Sequence, residues 1–253
     1  MPNISIDHLT TNGKIVLLAC DQGMEHGPED FNEKNIDPNY IYEIGIKAGF
    51  NAVIFGRGIA EHYHQDYKND IQLIVKLNGH SKFNKPDSYG RQNCSVEEAV
   101  RFGAVAVGYT LHIGAGHEAE QMQEFAGIVS AAHALGIPAI AWVYPRGPQI
   151  QNEKDPALCA YAARIGLELG ADIVKIYNAG NVGALRWCGL SAGKAKVVIS
   201  GGDHVTPEQY AEECKMIMQA GLAGIAVGRN VWQAEDPYYV CDLIKDVIYN
   251  GNY

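Results

Sequence analysis

The 253-residue chain has no C-x-x-C pair: its six cysteines, Cys20, Cys94, Cys159, Cys188, Cys214 and Cys241, are scattered along it. That spacing argues against a zinc knuckle or a small disulfide scaffold and predicts reduced thiols in a cytoplasm. Basic residues are in the minority, 20 against 29 acidic, for a net charge of -9. A broad nucleic-acid surface is excluded, while a local basic pocket for an anionic small molecule is not. No apolar run approaches the roughly 20 residues that cross a bilayer. The opening MPNISIDHLTTNGK lacks the charged-then-apolar pattern of a secretory signal, so the expectation is a soluble, untargeted protein with no membrane partner. No G-x-G-x-x-G opens a helix after the first strand-like run, which counts against a dinucleotide-binding open sheet. No linker or low-complexity stretch divides the chain.

What is present is a repeated unit. Short apolar runs occur at KIVLLACDQ (14–22), AVIFGRG (52–58), IQLIVKLNG (71–79), AVAVGYTL (104–111), PAIAWVYP (138–145), DIVKIYN (172–178), KVVISGGD (196–203) and GIAVGRNVW (224–232). They are rich in Val, Ile and Ala without strict alternation, the signature of strands covered on both faces, as in a parallel sheet. Most are separated by helical stretches such as HEAEQMQEFAGIVSAAHALG and PALCAYAARIGLELG. Glycines near residues 49, 136, 170 and 221 mark helix ends just before the next strand. Eight such units in about 250 residues predict a single-domain α/β fold, a (β/α)8 barrel over residues 1–253, with a doubly wound sheet as the alternative. The third unit is irregular: LNGHSKFNKPDSYGRQNC (77–94) reads as a long loop.

In a barrel the C-terminal strand ends converge on one face. Here that face collects Asp21, Gln22, Arg57, Lys76, Asn78, Tyr109, His112, Trp142, Tyr144, Arg146, Lys175, Tyr177, residues 200–203 and residues 228–230. Lys175 stands inside an apolar strand. Either it reaches water or a carboxylate, or it is desolvated so that its amine is free to attack a carbonyl. Ile173, Val174 and Ile176 supply apolar flanks; Lys76 has a similar setting, and spacing alone leaves both amines open. Trp142, Tyr144 and Arg146 share strand parity and are predicted to point to one side. The glycine-bearing turns ISGGDH and AVGRNVW follow the seventh and eighth strands, where barrels commonly bind phosphate. Ser200, Gly201, Gly202 and Gly228 are therefore candidate phosphate ligands, with Arg229 adding a charge-assisted bond. Asp21 either acts in the site or caps its turn. His62 and His64 read as two solvated rings rather than metal ligands, since no third ligand converges with them.

The motifs CDQGMEHGP (20–28), LNG (77–79), SVEEAVRFGAVAVGYTLHIG (95–114), AWVYPRG (141–147), ELGADIVKIY (168–177), VISGGD (198–203) and GIAVGRNVWQ (224–233) run in order along nearly the whole chain. Together they resemble the archaeal-type, DhnA-type class I fructose-bisphosphate aldolases. The resemblance implies a metal-independent, cofactor-free enzyme that cleaves fructose 1,6-bisphosphate reversibly through a lysine Schiff base and assembles as a large homo-oligomer. It matches Lys175 to the Schiff-base lysine, Tyr144 to the proton-transfer tyrosine and Asp21 to the polar group of the first strand. Trp142 and Arg146 become pocket neighbours, and Lys76 and His26 join the binding set. Arg57 and Arg146 are the candidates for the second phosphate. Other phosphorylated ketones, or a non-catalytic phosphate-binding barrel, are the alternative readings. The C-terminal DPYYVCDLIKDVIYNGNY is a candidate interface.

Overall fold

The computed structural model describes residues 4–84 and 89–253. Eight parallel strands, β1 (Ile15–Ala19), β2 (Ala52–Gly56), β3 (Gln72–Lys76), β4 (Ala104–Ile113), β5 (Ala139–Pro145), β6 (Ile173–Ile176), β7 (Lys196–Ser200) and β8 (Gly224–Val227), pair in chain order. β8 returns to β1, with Leu17 opposite Ala226, and so closes the barrel. Among the described residues the α-helices are α1 (Gly23–His26), α2 (Pro38–Lys47), α3 (Arg57–Tyr63), α4 (Val96–Arg101), α5 (Glu118–Ala134), α6 (Pro156–Glu168), α7 (Val182–Ser191), α8 (Pro207–Gln219), α9 (Arg229–Trp232) and α10 (Pro237–Asn250). The fold is a single-domain (β/α)8 barrel, not a doubly wound sheet.

Strand parity divides the core in two. Ile15, Leu17, Ala52, Ile54, Ile74, Ala106, Ile140, Trp142, Ile173, Val198 and Ala226 fill the barrel interior. Val16, Leu18, Val53, Phe55, Val75, Val107, Val174, Ile176 and Ile225 pack outward under the helices. Both sets are apolar because both faces are covered, which is why the strands do not alternate in sequence. Gly49, Gly136, Gly170 and Gly221 follow α2, α5, α6 and α8 with φ of 67, 76, 88 and 81 degrees, the left-handed backbone that ends a helix.

In the third unit, residues 77–84 and 89–95 form no helix, as the sequence predicts, and the unit does end in one. Ser95 and Glu98 form a capping box that starts the six-residue α4. Lys85, Pro86, Asp87 and Ser88 of that loop lie outside the described residues. α10 is not the exposed stretch that the candidate-interface reading supposed. Val240, Cys241, Ile244, Val247 and Ile248 are buried, leaving Tyr238, Tyr239 and Tyr253 as the large exposed side chains. The heptad-like spacing that exposes one face of the helix buries the other against the barrel.

Candidate active site

At the C-terminal strand ends lies a cavity of about 370 Å³. Its walls include Asp21, Glu25, Lys76, Trp142, Tyr144 and Lys175, with the 200–203 and 228–230 turns on one side. Register explains this convergence. On β5 and β6, Trp142 is opposite Lys175, and on β6 and β7, Lys175 is opposite Val198. Residues of one parity therefore stack as a layer inside the barrel mouth.

Gly108 on β4 makes the site possible. A Cβ there would lie 1.3 Å from the Trp142 ring, so the missing side chain is the space that the indole occupies. The Lys175 amine then sits 5.5 Å from the centre of that ring. Lys175 is only 6% exposed and makes no ion pair among the described residues. Burial, opposed by the Asp21 carboxylate and reinforced by the Lys76 charge, lowers its pKa to about 8. A useful fraction of free amine therefore exists near neutral pH. The apolar surroundings differ in origin from the sequence reading. Val174 and Ile176 point out to the helices, and the interior neighbours are Ile173, Trp142 and Val198.

Lys76 is equally buried but differently partnered. Its Nζ lies 2.5 Å from Glu25 Oε1 and 3.5 Å from Asp21 Oδ2. Burial alone would lower this ammonium; the two carboxylates outweigh it and hold the pKa above its ordinary value. Tyr144 stacks on Tyr177 with ring centres 4.4 Å apart. Burial first, then Tyr177 and the Asp21 carboxylate, pushes its phenol well above the usual range, so it stands as a proton donor. Arg146 donates to Glu153 at 3.0 and 3.1 Å and to the Tyr177 hydroxyl at 2.7 Å. Trp142, Tyr144 and Arg146 all line the cavity, as their shared parity predicts.

The two glycine turns are tied together by Asn230. Its Nδ2 donates to the carbonyls of Gly201 and Asp203 at 2.6 and 2.9 Å, and its Oδ1 accepts from the Val205 amide at 3.0 Å. Ser200, Gly201, Gly202, Gly228 and Arg229 all border the cavity there. Among the described residues, the Ser200 hydroxyl and the Trp142 indole nitrogen are buried without a hydrogen-bond partner. Buried polar atoms are rarely left so, and both border the space a substrate would fill. His26 lines the rim and contacts Asp30 at 2.6 Å.

Arg57 is a correction. It begins α3 and turns away from this cavity to Glu61 at 2.9 Å and Glu98 at 3.1 Å. Its i,i+4 relation to Glu61 was a readable sign of that pairing. Asn78 and Tyr109 also serve elsewhere: Asn78 donates to the Gly90 and Thr110 carbonyls, and the Tyr109 hydroxyl to Glu124. His62 is exposed, but His64 is not solvated as expected; it is buried and stacked on Tyr42. Among the described residues no group of three or more His, Cys, Asp or Glu side chains could hold a metal ion. Sequence reasoning missed Glu25, on the single turn α1, and Glu153 and Lys154, on the loop after β5, since segments this short carry no periodicity.

The chain matches the pattern of the DeoC/LacD family aldolases over residues 15–234. It is 44% identical over 242 residues to a class 1 fructose-bisphosphate aldolase of Thermoproteus tenax, covering 94% of this chain and 91% of that one. A class 1 fructose-bisphosphate aldolase of Halobacterium salinarum is 40% identical over 245 residues, with 95% and 92% covered. Among solved structures, a Schiff-base-forming fructose-1,6-bisphosphate aldolase is similar at a TM-score of 0.93 and 42% identity, covering 96% and 98% of the two chains. An archaeal fructose-1,6-bisphosphate aldolase, with its catalytic lysine covalently bound to the carbinolamine intermediate, is similar at a TM-score of 0.91 and 42% identity, covering 97% and 96%.

Proposed function

The chain belongs to the DeoC/LacD family of aldolases, and we infer that Lys175 is the amine on which it runs its reaction. It is a class I fructose-1,6-bisphosphate aldolase, cleaving its substrate reversibly to dihydroxyacetone phosphate and glyceraldehyde 3-phosphate through a Schiff base. One observation carries the choice of lysine. Of two equally buried amines in the cavity, only Lys175 is without a carboxylate partner among the described residues.

The neutral Lys175 amine attacks the substrate's ketone carbon, and the carbonyl electron pair moves to oxygen, which takes up a proton. Tyr144 donates the proton with which that hydroxyl leaves as water, giving an iminium. The iminium draws in the electron pair of the C3–C4 bond once the C4 hydroxyl loses its proton, leaving an enamine and an aldehyde. Reprotonation and hydrolysis of the enamine release the ketone and regenerate Lys175. Asp21, beside this centre, assists the proton transfers. Ser200, Gly201, Gly202, Gly228 and Arg229 hold one phosphate, supported by the unpartnered Ser200 hydroxyl at the glycine turns. Arg146 remains the candidate for the second phosphate, although Glu153 neutralises much of its charge. Cytoplasmic, homo-oligomeric work in sugar breakdown and synthesis is part of the same proposal.

Borohydride reduction in the presence of dihydroxyacetone phosphate, followed by peptide mapping, tests the assignment. The expected result is a stable mass gain on the Lys175 peptide in a preparation that also cleaves fructose 1,6-bisphosphate. Label on another residue with none on Lys175 overturns the assignment.

A further inference from the structure

Two buried amines stand in this cavity, and the chemistry needs one. Lys76 and Lys175 are each 6% exposed and both border the same space. Desolvation favours the neutral form of any buried amine, so burial alone would make both of them nucleophiles. A Schiff base on Lys76 would hold the substrate from the opposite side of the barrel mouth, since β3 and β6 are separated by two strands on one side and four on the other. There Tyr144 and the glycine turns would no longer stand where the reaction needs them.

The fold separates the two amines through α1. This four-residue turn of helix follows β1 and lies over the end of β3, where Gly79 leaves room for it. A Cβ on Gly79 would lie 3.0 Å from Met24 Sδ and 3.3 Å from Glu25 Oε1. Glu25 is thereby brought within 2.5 Å of Lys76, while its second oxygen is buried without a partner among the described residues. A half-paired buried carboxylate is costly unless its one ionic contact is retained. Glu25 and Lys76 thus depend on each other's charge. Asp21, at 3.5 Å, is the longer contact, but its charge favours the Lys76 ammonium at least as strongly as that of Glu25 and acts on Lys175 as well; the short hydrogen bond is what Glu25 adds.

We propose that Glu25 is a positioning residue that withholds Lys76 from the chemistry, its ion pair keeping that nitrogen protonated so that Lys175 alone can attack the substrate. This deepens, and rests on, the reading of Lys175 as the Schiff-base amine. In the ammonium the nitrogen lone pair is occupied by the proton. Without Glu25 a share of Lys76 loses that proton to solvent. The freed lone pair then forms a bond to the ketone carbon, the carbonyl oxygen leaves as water after taking up two protons, and an iminium remains. Borohydride supplies the hydride that reduces this iminium to a stable secondary amine.

The test is borohydride trapping with dihydroxyacetone phosphate at one fixed pH, with peptide mapping of both lysines. Wild-type protein and the Glu25→Gln, Glu25→Ala and Glu25→Asp variants are compared, along with Lys175→Met and Lys175→Met/Glu25→Gln. Circular dichroism identifies the folded variants, and the shape-conserving Gln and the smaller Ala give two chances of a folded protein. In the wild type only Lys175 is labelled. In Glu25→Gln or Glu25→Ala, label on Lys76 rises at least about tenfold, the change that one pKa unit brings in free amine. Lys175→Met/Glu25→Gln is labelled where Lys175→Met is not, and Glu25→Asp, which keeps the charge, shows the wild-type pattern with label on Lys175 alone. A folded Glu25→Gln or Glu25→Ala protein labelled solely on Lys175, with an unlabelled double variant, overturns the proposal. A wild type that is not labelled at Lys175 overturns the underlying assignment instead. A purely packing role for Glu25 would lower stability without moving the label.

Discussion

Lys175 shows at the scale of one residue how function opposes stability. In the unfolded chain its amine titrates at the ordinary 10.5, and in the folded protein at about 8. Below pH 8 both states carry the charge, and the folded state bears the desolvation penalty. At about 1.4 kcal/mol per tenfold change, this amounts to about 3 kcal/mol. Between pH 8 and 10.5 the unfolded chain binds the extra proton, so stability rises with pH across that window as the penalty is lost. Replacing Lys175 with Met, which is apolar and of similar length, is expected to abolish turnover yet stabilise the protein by about 1–3 kcal/mol at pH 7. The gain should fade as pH passes from 8 to 10.5, and urea denaturation across that range measures it. In the wild type, the rate of imine formation should climb with pH and level off above about 8, as the attacking amine becomes neutral. Unchanged or reduced stability in Lys175→Met at pH 7 would show that this lysine is not desolvated.

At the scale of the element, β4 and β5 set where the indole of Trp142 lies, and Gly108 leaves the space that it fills. Gly108→Ala forces a methyl group into the ring, and overpacking of this kind costs about 1–3 kcal/mol. The displaced ring also moves the wall against which Lys175 rests, and a shift of about 1 Å near reacting atoms can cost about a hundredfold in rate. A lower melting temperature together with a fall in kcat is therefore expected. Gly127, exposed in α5 with open space where a Cβ would go, provides the contrast. Gly127→Ala should raise stability by up to about 1 kcal/mol and leave kcat alone. Equal effects from the two substitutions would remove Gly108 from the account. Elements such as these were legible in the sequence because strand parity is a strict rule: it placed Trp142, Tyr144 and Arg146 on one side of β5. Glu25 and Glu153 escaped notice because they come from a single helical turn and a short loop, too short for any periodicity to encode their direction. The choice between Lys76 and Lys175 escaped for a related reason, since Glu25, the carboxylate nearest Lys76, sits 51 residues from it in the chain and meets it only on folding.

At the scale of the whole molecule, closure of the sheet leaves one surface still to be covered, and α10 covers it. The helix packs against α8 and α9, and α9 carries Arg229 beside the glycine turns of the cavity. Val240, Ile244, Val247 and Ile248 are each buried to within a few per cent. At about 1.5–3 kcal/mol for each such side chain removed from water, they contribute about 6–12 kcal/mol, as much as the net stability of an ordinary domain. Deleting residues 237–253 should therefore abolish cooperative thermal unfolding, and any folded remnant should bind inorganic phosphate more weakly because α9 has lost its support. Replacing the exposed Tyr238 with Ser should leave melting and phosphate binding within experimental scatter, since surface substitutions rarely exceed about 0.5 kcal/mol. Scanning calorimetry of the two proteins separates the cases. A truncated chain that melts cooperatively at the wild-type temperature would mean that the barrel is complete without α10, and that its buried face has another purpose.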